Sequence, residues 1–100
     1  MSIKDIELQI ELLSDKKSRY GFLGKNEAIK IIKLLHENNI PIHGFDGFIP
    51  HTSGSIQIEQ DFSRDYSKFS PEDSYTLSLE YLLKDRSVNT IYELSFKGKT

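Results

Sequence analysis

The sequence contains no cysteine and no tryptophan. The absence of cysteine excludes disulfide bonds, thiolate metal ligands and cysteine nucleophiles, so packing alone must hold the fold together. It fits a reducing cytoplasm, although it would also suit secretion. The first seven residues include two acids and no apolar run, which argues against a signal peptide or a membrane span. We therefore expect the protein to stay in the cytoplasm and not to enter a membrane.

An excess of positive charge is also missing. Thirteen Lys and Arg residues stand against fifteen Asp and Glu residues, the formal net charge is −2, and no long basic run occurs. This argues against nucleic acid as the main partner. Acidic residues gather in the middle of the chain, where they could meet a basic partner or simply form a solvated face. They are Glu59, Asp61, Asp65, Glu72 and Asp73.

The chain has 100 residues, of which 37% are hydrophobic, enough for one modest core and a single domain spanning residues 1–100. Its first element is ambiguous. Apolar and polar residues alternate over residues 5–13, which favours a half-buried strand, but Ile3, Ile6, Ile10 and Leu13 would equally form a helical stripe. We expect a strand and keep a helix as the alternative.

Two helices are predicted further along. The first has Asn26 as its N-cap, carries Ala28, Ile31, Ile32 and Leu35 on one face, and ends at Asn39, because the following proline cannot continue it. The second begins with a serine cap at Ser70, proline in the first helical position and an acid three residues after the cap. Its apolar positions are Tyr75, Leu79, Leu82 and Leu83.

Strands are predicted over residues 40–49, 55–62 and 88–96, and the first two form a hairpin around a turn at residues 50–54. No strand-helix-strand unit repeats. This pattern indicates an α+β domain, with two helices packed on one face of a small, mostly antiparallel sheet. The order of the strands stays open.

The strand over residues 40–49 carries the most informative pattern, an acid placed between two glycines. Gly44 and Gly47 mark positions for a bulge, a turn or the close approach of another backbone. Asp46 between them would be held in a defined direction, and we expect it to be buried.

No residue pattern indicates catalysis or a cofactor. His36, His43 and His51 lack the spacing of metal ligands, so we expect no metal. Glu59 and Asp61, two residues apart on a strand, should face the same side. We expect Tyr75 and Tyr81 to lie in the core, whereas Tyr66 and Phe69, in a polar segment, are predicted to be exposed enough to contact a partner.

The helix ending in Leu34-Leu35-His36-Glu37-Asn38-Asn39, the phrase Ile40-Pro41-Ile42-His43-Gly44-Phe45-Asp46-Gly47-Phe48 and the later leucine-rich helix resemble the immunity protein 40 family of bacterial polymorphic toxin systems. The resemblance covers residues 20 to 83. The chain departs from the family pattern in two places. Phe45 separates glycine from the acid where the family has two adjacent glycines, and the tryptophan expected after the hairpin is absent.

The resemblance implies a non-enzymatic cytoplasmic protein that binds and blocks one cognate toxin, with Asp46 as a positioned acid. Together with the acidic middle, it predicts a partner-binding surface made of Asp46, Glu59, Asp61, Asp65, Tyr66 and Phe69 and a toxin with a basic surface. The alternative is a small ligand-binding or enzymatic domain with its site near Asp46 and His43. A third alternative is a homodimer that pairs through an exposed strand.

Overall fold

The computed structural model describes residues 2–14, 22–50, 56–84 and 90–98, with the backbone alone for residues 50 and 56–62. Three helices and three strands follow one another in these residues, which confirms the α+β class. They are α1 (Ile3–Leu13), α2 (Lys25–Glu37), β1 (Ile42–Pro50), β2 (Ile56–Asp65), α3 (Pro71–Lys84) and β3 (Ile91–Phe96). None of these helices has both the length and the apolar character needed to cross a membrane.

The first element is a helix, so the expected strand over residues 5–13 is wrong. Ser2 is the N-cap of α1: its hydroxyl accepts from the Asp5 backbone N–H, and the Asp5 carboxylate accepts from the Ser2 N–H. This reciprocal capping box satisfies two N–H groups that a helix start leaves unpaired. Ile6 and Ile10 are buried. The helical stripe therefore decides the element, and the alternation of apolar and polar residues is incidental.

Helix α2 begins slightly earlier than predicted, because Gly24 is its N-cap in place of Asn26. The predicted apolar face is buried, with Ala28, Ile31, Ile32 and Leu35 all fully covered. The predicted asparagine stop is confirmed: Asn38 is the C-cap, and Asn39 has φ 57°, in the left-handed region that asparagine tolerates better than most residues.

Helix α3 begins as predicted. Pro71 is its first residue, and the hydroxyl of Ser70 accepts from the backbone N–H of Asp73 at 3.2 Å. Tyr75 and Leu82 are buried, as the helical spacing predicted, but Leu83 is 69% exposed and lies on the solvent side.

The sheet is antiparallel, with the strand order β2-β1-β3. The predicted pairing of β1 with β2 is confirmed. The turn predicted at residues 50–54 falls almost entirely on residues 51–55, which lie outside the described residues, as do residues 88–89 of the last predicted strand. Backbone bonds also join Leu23 to Tyr92, which adds one bridge at β3.

The helices pack on one face of the sheet, with α3 against β1 and α2 against β3, while α1 packs against α2. The core between these layers contains Phe45, Tyr92 and Leu94 from the sheet. In β3 the buried residues alternate with Glu93 and Ser95, which are less buried. We call the face that carries Asp46, Glu93 and Ser95 the outer face of the sheet.

Candidate functional site

The central strand β1 is irregular on both sides at the position where the sequence places its two glycines. Toward β2, the partner changes from Arg64 opposite Phe45 to Glu59 opposite Gly47, so residues 60–63 all lie across from Asp46. Toward β3, a second register shift occurs between Ile42 and Gly44. Of the alternatives that the glycines left open, an irregularity of the bulge type is present between Phe45 and Gly47, and such irregularities redirect the side chains beside them.

Gly44 also marks a close approach of another backbone. Its φ is 146°, and a Cβ built on it would lie 2.2 Å from the carbonyl oxygen of Arg64. Gly44 lies opposite Asp65 in β2 and Ser95 in β3. The C-terminal end of β2 is held at the same place, because the backbone N–H of Tyr66 donates to the carbonyl of His43 at 2.7 Å. The missing side chain at Gly44 thus allows the backbone of β2 to approach β1 this closely.

An open concavity of about 260 Å³ lies at this point, and we call it the strand-junction cavity. Side chains from all three strands meet in it, and most of them are polar. Its lining residues are His43, Gly44, Phe45, Asp46, Arg64, Asp65 and Ser95.

Asp46 is exposed, so the expectation that it is buried is wrong. It lies directly across from Glu93 of β3. Two acids in opposite positions of an antiparallel pair repel each other and weaken the sheet locally. Because Asp46 is exposed, solvent and salt screen part of this repulsion.

Asp65 is the second exposed acid of the cavity. Hydrogen bonds from the hydroxyl and the backbone N–H of Ser67 hold the pKa of its carboxyl below the usual range, and nearby Lys68 and His43 act in the same direction. The bond from the Ser67 N–H is 2.9 Å long. The cavity therefore contains a carboxylate that stays charged and is held in place by its own turn.

Arg64 borders the cavity but is held by the fold. Its guanidinium carbon lies 4.4 Å from the centre of the Tyr81 ring, and its Nη1 donates to the carbonyl of Ser63 at 2.7 Å. A cation stacked on an aromatic face in this way is both stabilised and oriented. The one arginine of the cavity therefore stands at its edge, beside helix α3.

The two aromatic residues predicted to contact a partner differ in exposure. Phe69 is 51% exposed, but Tyr66 is buried, so the expected exposure of Tyr66 is wrong. The Tyr66 ring packs edge-on against Phe45, and its carbonyl accepts from the hydroxyl of Ser74. Burial raises the pKa of Tyr66. Tyr75 is buried in the core as predicted, and Tyr81 is partly buried against it.

None of the other predicted acids is among the described residues that line the cavity. Glu59 and Asp61 belong to β2, and the backbone of Glu59 lies opposite Gly47, but their side chains lie outside the described part of the chain. Glu72 lies in the first turn of α3, where its Oε1 is 3.0 Å from His36 Nε2. This acid therefore joins two helices and does not extend the cavity.

The two histidines that the structure describes, His36 and His43, lie on different elements. His43 lines the strand-junction cavity, His36 lies at the end of α2, and His51 falls outside the described residues. Within the described ranges, no group of three or more His, Asp or Glu residues could hold a metal ion.

The sequence predictions did not include Glu93 and Ser95 in the site. The signal for them was present, because Tyr92, Leu94 and Phe96 alternate with Glu93 and Ser95 in the period of a half-buried strand. What was missing was the strand order, since β3 had first to be placed beside β1.

The fold and this geometry define an α+β domain with a small, open, acidic cavity where three strands meet. Comparison with protein-family models, curated proteins and solved structures found no match.

Proposed function

We propose that this protein is a non-enzymatic binding protein of the immunity type, which binds and neutralises a cognate bacterial toxin in the cytoplasm. The observation that carries the proposal is the pair of exposed carboxylates, Asp46 and Asp65, that line one open cavity of the sheet. The resemblance of residues 40–48 to the immunity protein 40 family is an independent argument for the same function.

The size and lining of the cavity favour a protein partner over a buried small molecule. Ligand pockets usually enclose about 300–1,000 Å³ and are mostly apolar with a few polar groups. This cavity is smaller, about 260 Å³, and is lined largely by polar side chains. It has room for one side chain of a partner that covers the surrounding sheet.

The charge of the cavity favours a basic partner. Asp46 and Asp65 are exposed, Glu93 lies across from Asp46, and the hydrogen bonds of Ser67 keep Asp65 ionised. Complementary charge speeds association and selects among partners. A lysine or arginine of the toxin would find two carboxylates here, and Phe69, half-exposed four residues after Asp65, offers an aromatic contact outside the cavity lining.

The first test is to express the product of the neighbouring upstream gene, purify its C-terminal domain with this protein and measure the affinity of the complex. We expect a stable complex that weakens roughly tenfold or more in the Asp46→Asn/Asp65→Asn variant, because each exchange removes a charge and keeps the shape. Glu37→Gln, which neutralises an exposed acid at the end of α2, is the matched control and should bind like wild type.

Protection of cells gives a second readout that includes the acids of β2. A charge-reversed Glu59/Asp61/Asp65 variant that still folds should fail to protect cells from the toxin. If it protects as well as wild type, or if the Asp46→Asn/Asp65→Asn variant binds at full affinity, the acidic-surface mechanism is wrong.

The strand-junction cavity also supports the second candidate, a small ligand-binding or enzymatic domain using Asp46 and His43. A sheet surface without a concavity beside Asp46 would have removed this candidate, and a concavity is present there. Its test is to titrate the protein with sets of small polar metabolites while following the NMR signals of His43 and Ser95. Saturable shifts at both residues would favour it, and their absence would argue against it.

A further inference from the structure

Helix α1 has a second apolar side that the core does not use. Ile6 and Ile10 are buried toward α2, whereas Leu8 is 55% exposed and Leu12 is 72% exposed. Leu8 and Leu12 are four residues apart, so they lie next to each other along the outward side of the helix. Two leucines so exposed on a helix of 11 residues point to a surface that another molecule covers.

Three charged residues of α1 lie beside Leu8, with the lysine before it and one glutamate on each side of it in the sequence. Lys4, Glu7, Leu8 and Glu11 line a shallow depression of about 260 Å³. Lys4, Glu7 and Glu11 make no ion pair with any residue in the described ranges. Glu7 and Glu11 are four apart, a spacing at which like charges destabilise a helix. A cation supplied from outside would offset this repulsion.

We propose that α1 binds α1 of a second copy of this chain, in an antiparallel arrangement centred on Leu8. A rise of about 1.5 Å per residue puts Lys4 about 6 Å before Leu8 and Glu11 about 4.5 Å after it along the helix axis. Reversing one helix therefore brings Lys4 of each copy to within about 1.5 Å, along the axis, of Glu11 of the other copy. Both residues lie on the same side of Leu8, so twofold symmetry forms the ion pair twice.

A parallel pair would put Lys4 at the height of the other Lys4 and Glu11 at the height of the other Glu11, so it would not form the Lys4–Glu11 pairs. The surface is small, since one face of a short helix falls below the roughly 800 Å² per partner of a standard interface. The dimer is therefore weak and forms as the protein concentration rises. It involves the helix layer and leaves the outer face of the sheet free, so the proposal goes beyond the proposed toxin binding.

The test is sedimentation velocity of the full chain over about 10 μM to 1 mM, the range in which weak association becomes visible. Lys4→Glu and Glu11→Lys should each weaken dimerisation roughly tenfold, because each turns two attractive pairs into repulsive ones. Both exchanges put charges where the helix dipole favours them, so α1 should remain folded, which circular dichroism would verify.

Two recombinations make the test specific. The double variant Lys4→Glu/Glu11→Lys restores the pairs with reversed sign and should dimerise like wild type. An equal mixture of the two single variants should associate more strongly than either alone. Leu8→Ala/Leu12→Ala should abolish the dimer, and Leu83→Ala, at an exposed leucine of α3, should leave it unchanged.

A wild-type chain that stays monomeric up to about 1 mM overturns the proposal. So does a dimer whose strength is the same in wild type and in both single charge variants. Loss of association in the double variant as well as in both single variants would also overturn the antiparallel arrangement. None of these results bears on toxin binding, because the affinity for the toxin depends on Asp46 and Asp65 and is measured separately.

Discussion

At the scale of single residues, Gly44 is the position on which the site depends most. An alanine there would have to adopt a φ that L residues rarely take, with its Cβ against the backbone carbonyl of Arg64. The carbonyl of Arg64 belongs to the backbone of β2 and cannot move away as a flexible side chain can. We therefore expect Gly44→Ala to lower the free energy of unfolding by about 2–4 kcal/mol. Urea denaturation followed by circular dichroism measures this.

Gly24→Ala is the matched control for that experiment. Gly24 has φ −65°, and its added Cβ would meet the end of the flexible Glu27 side chain. We expect a cost of at most about 1 kcal/mol, because alanine is a poorer N-cap than glycine. Equal losses at positions 24 and 44 would show that the close approach of β2 to Gly44 has no energetic weight.

Single residues also show how far sequence reasoning reaches. The glycines around Asp46 predicted an irregular strand and a directed acid, because glycine has few other uses inside a strand. The exposure of Asp46 could not be predicted, since it depends on which face of β1 the helices cover. The burial of Tyr66 depends likewise on Phe45, twenty-one positions earlier, and on Ser74 in the next helix.

At the scale of whole elements, α2 and α3 were predictable because local signals agreed with the apolar period. Helix α1 was not, because its outward Leu8 and Leu12 produce the alternation of a strand while its inward isoleucines produce the period of a helix. The deciding signal was local: Ser2 followed three residues later by Asp5 is a capping pattern. The exposed leucines of α1 thus make the helix look like a strand in the sequence. The same leucines indicate a second apolar surface on this helix.

The cap of α3 gives a prediction at this scale. Ser70→Ala removes the oxygen that accepts from the Asp73 N–H, so we expect the free energy of unfolding to fall by about 1 kcal/mol. For a domain of this size that corresponds to a melting temperature lower by about 4–8 °C. Ser70→Asp keeps an acceptor and should melt close to wild type in thermal denaturation. A Ser70→Asp variant as unstable as Ser70→Ala would mean that the side-chain cap is not what position 70 contributes.

At the scale of the whole molecule, the fold class followed from the sequence but the site did not. The α+β class holds in spite of the error at α1, because the other two helices and the three strands each have their own local pattern. The strand-junction cavity needs the order β2-β1-β3, which brings Asp65 and Ser95 to opposite sides of Gly44 although thirty residues separate them. Strand pairings between residues so far apart in the sequence depend on how the helices pack on one face of the sheet. A local sequence pattern does not predict them.

Besides the pair formed by His36 and Glu72, one buried hydroxyl links α3 to the C-terminal end of α2. The Tyr75 hydroxyl of α3 donates to the carbonyl of Leu35 in α2 and to the carbonyl of Ile40 just after α2, and its ring packs on His36. Tyr75→Phe keeps the ring and removes the hydroxyl. Leu35 keeps other donors, the backbone N–H groups of Asn38 and Ile40. We expect a loss of about 1–2 kcal/mol in the free energy of unfolding, from the carbonyl of Ile40.

The cost of Tyr75→Phe should also depend on pH, and this distinguishes the hydroxyl from general packing. Burial raises the pKa of Tyr75 above the ordinary value for tyrosine, so the folded protein binds this proton more tightly than the unfolded chain does. The stabilisation by the hydroxyl is therefore complete below about pH 10 and is lost as the pH rises through the folded pKa. Urea denaturation of both proteins between pH 7 and about pH 11 should show their difference shrinking at the alkaline end. Tyr66, whose pKa burial also raises, is present in both proteins, so its contribution cancels in the difference. A difference that stays constant across this range would mean that burial does not raise the pKa of Tyr75 in the folded protein.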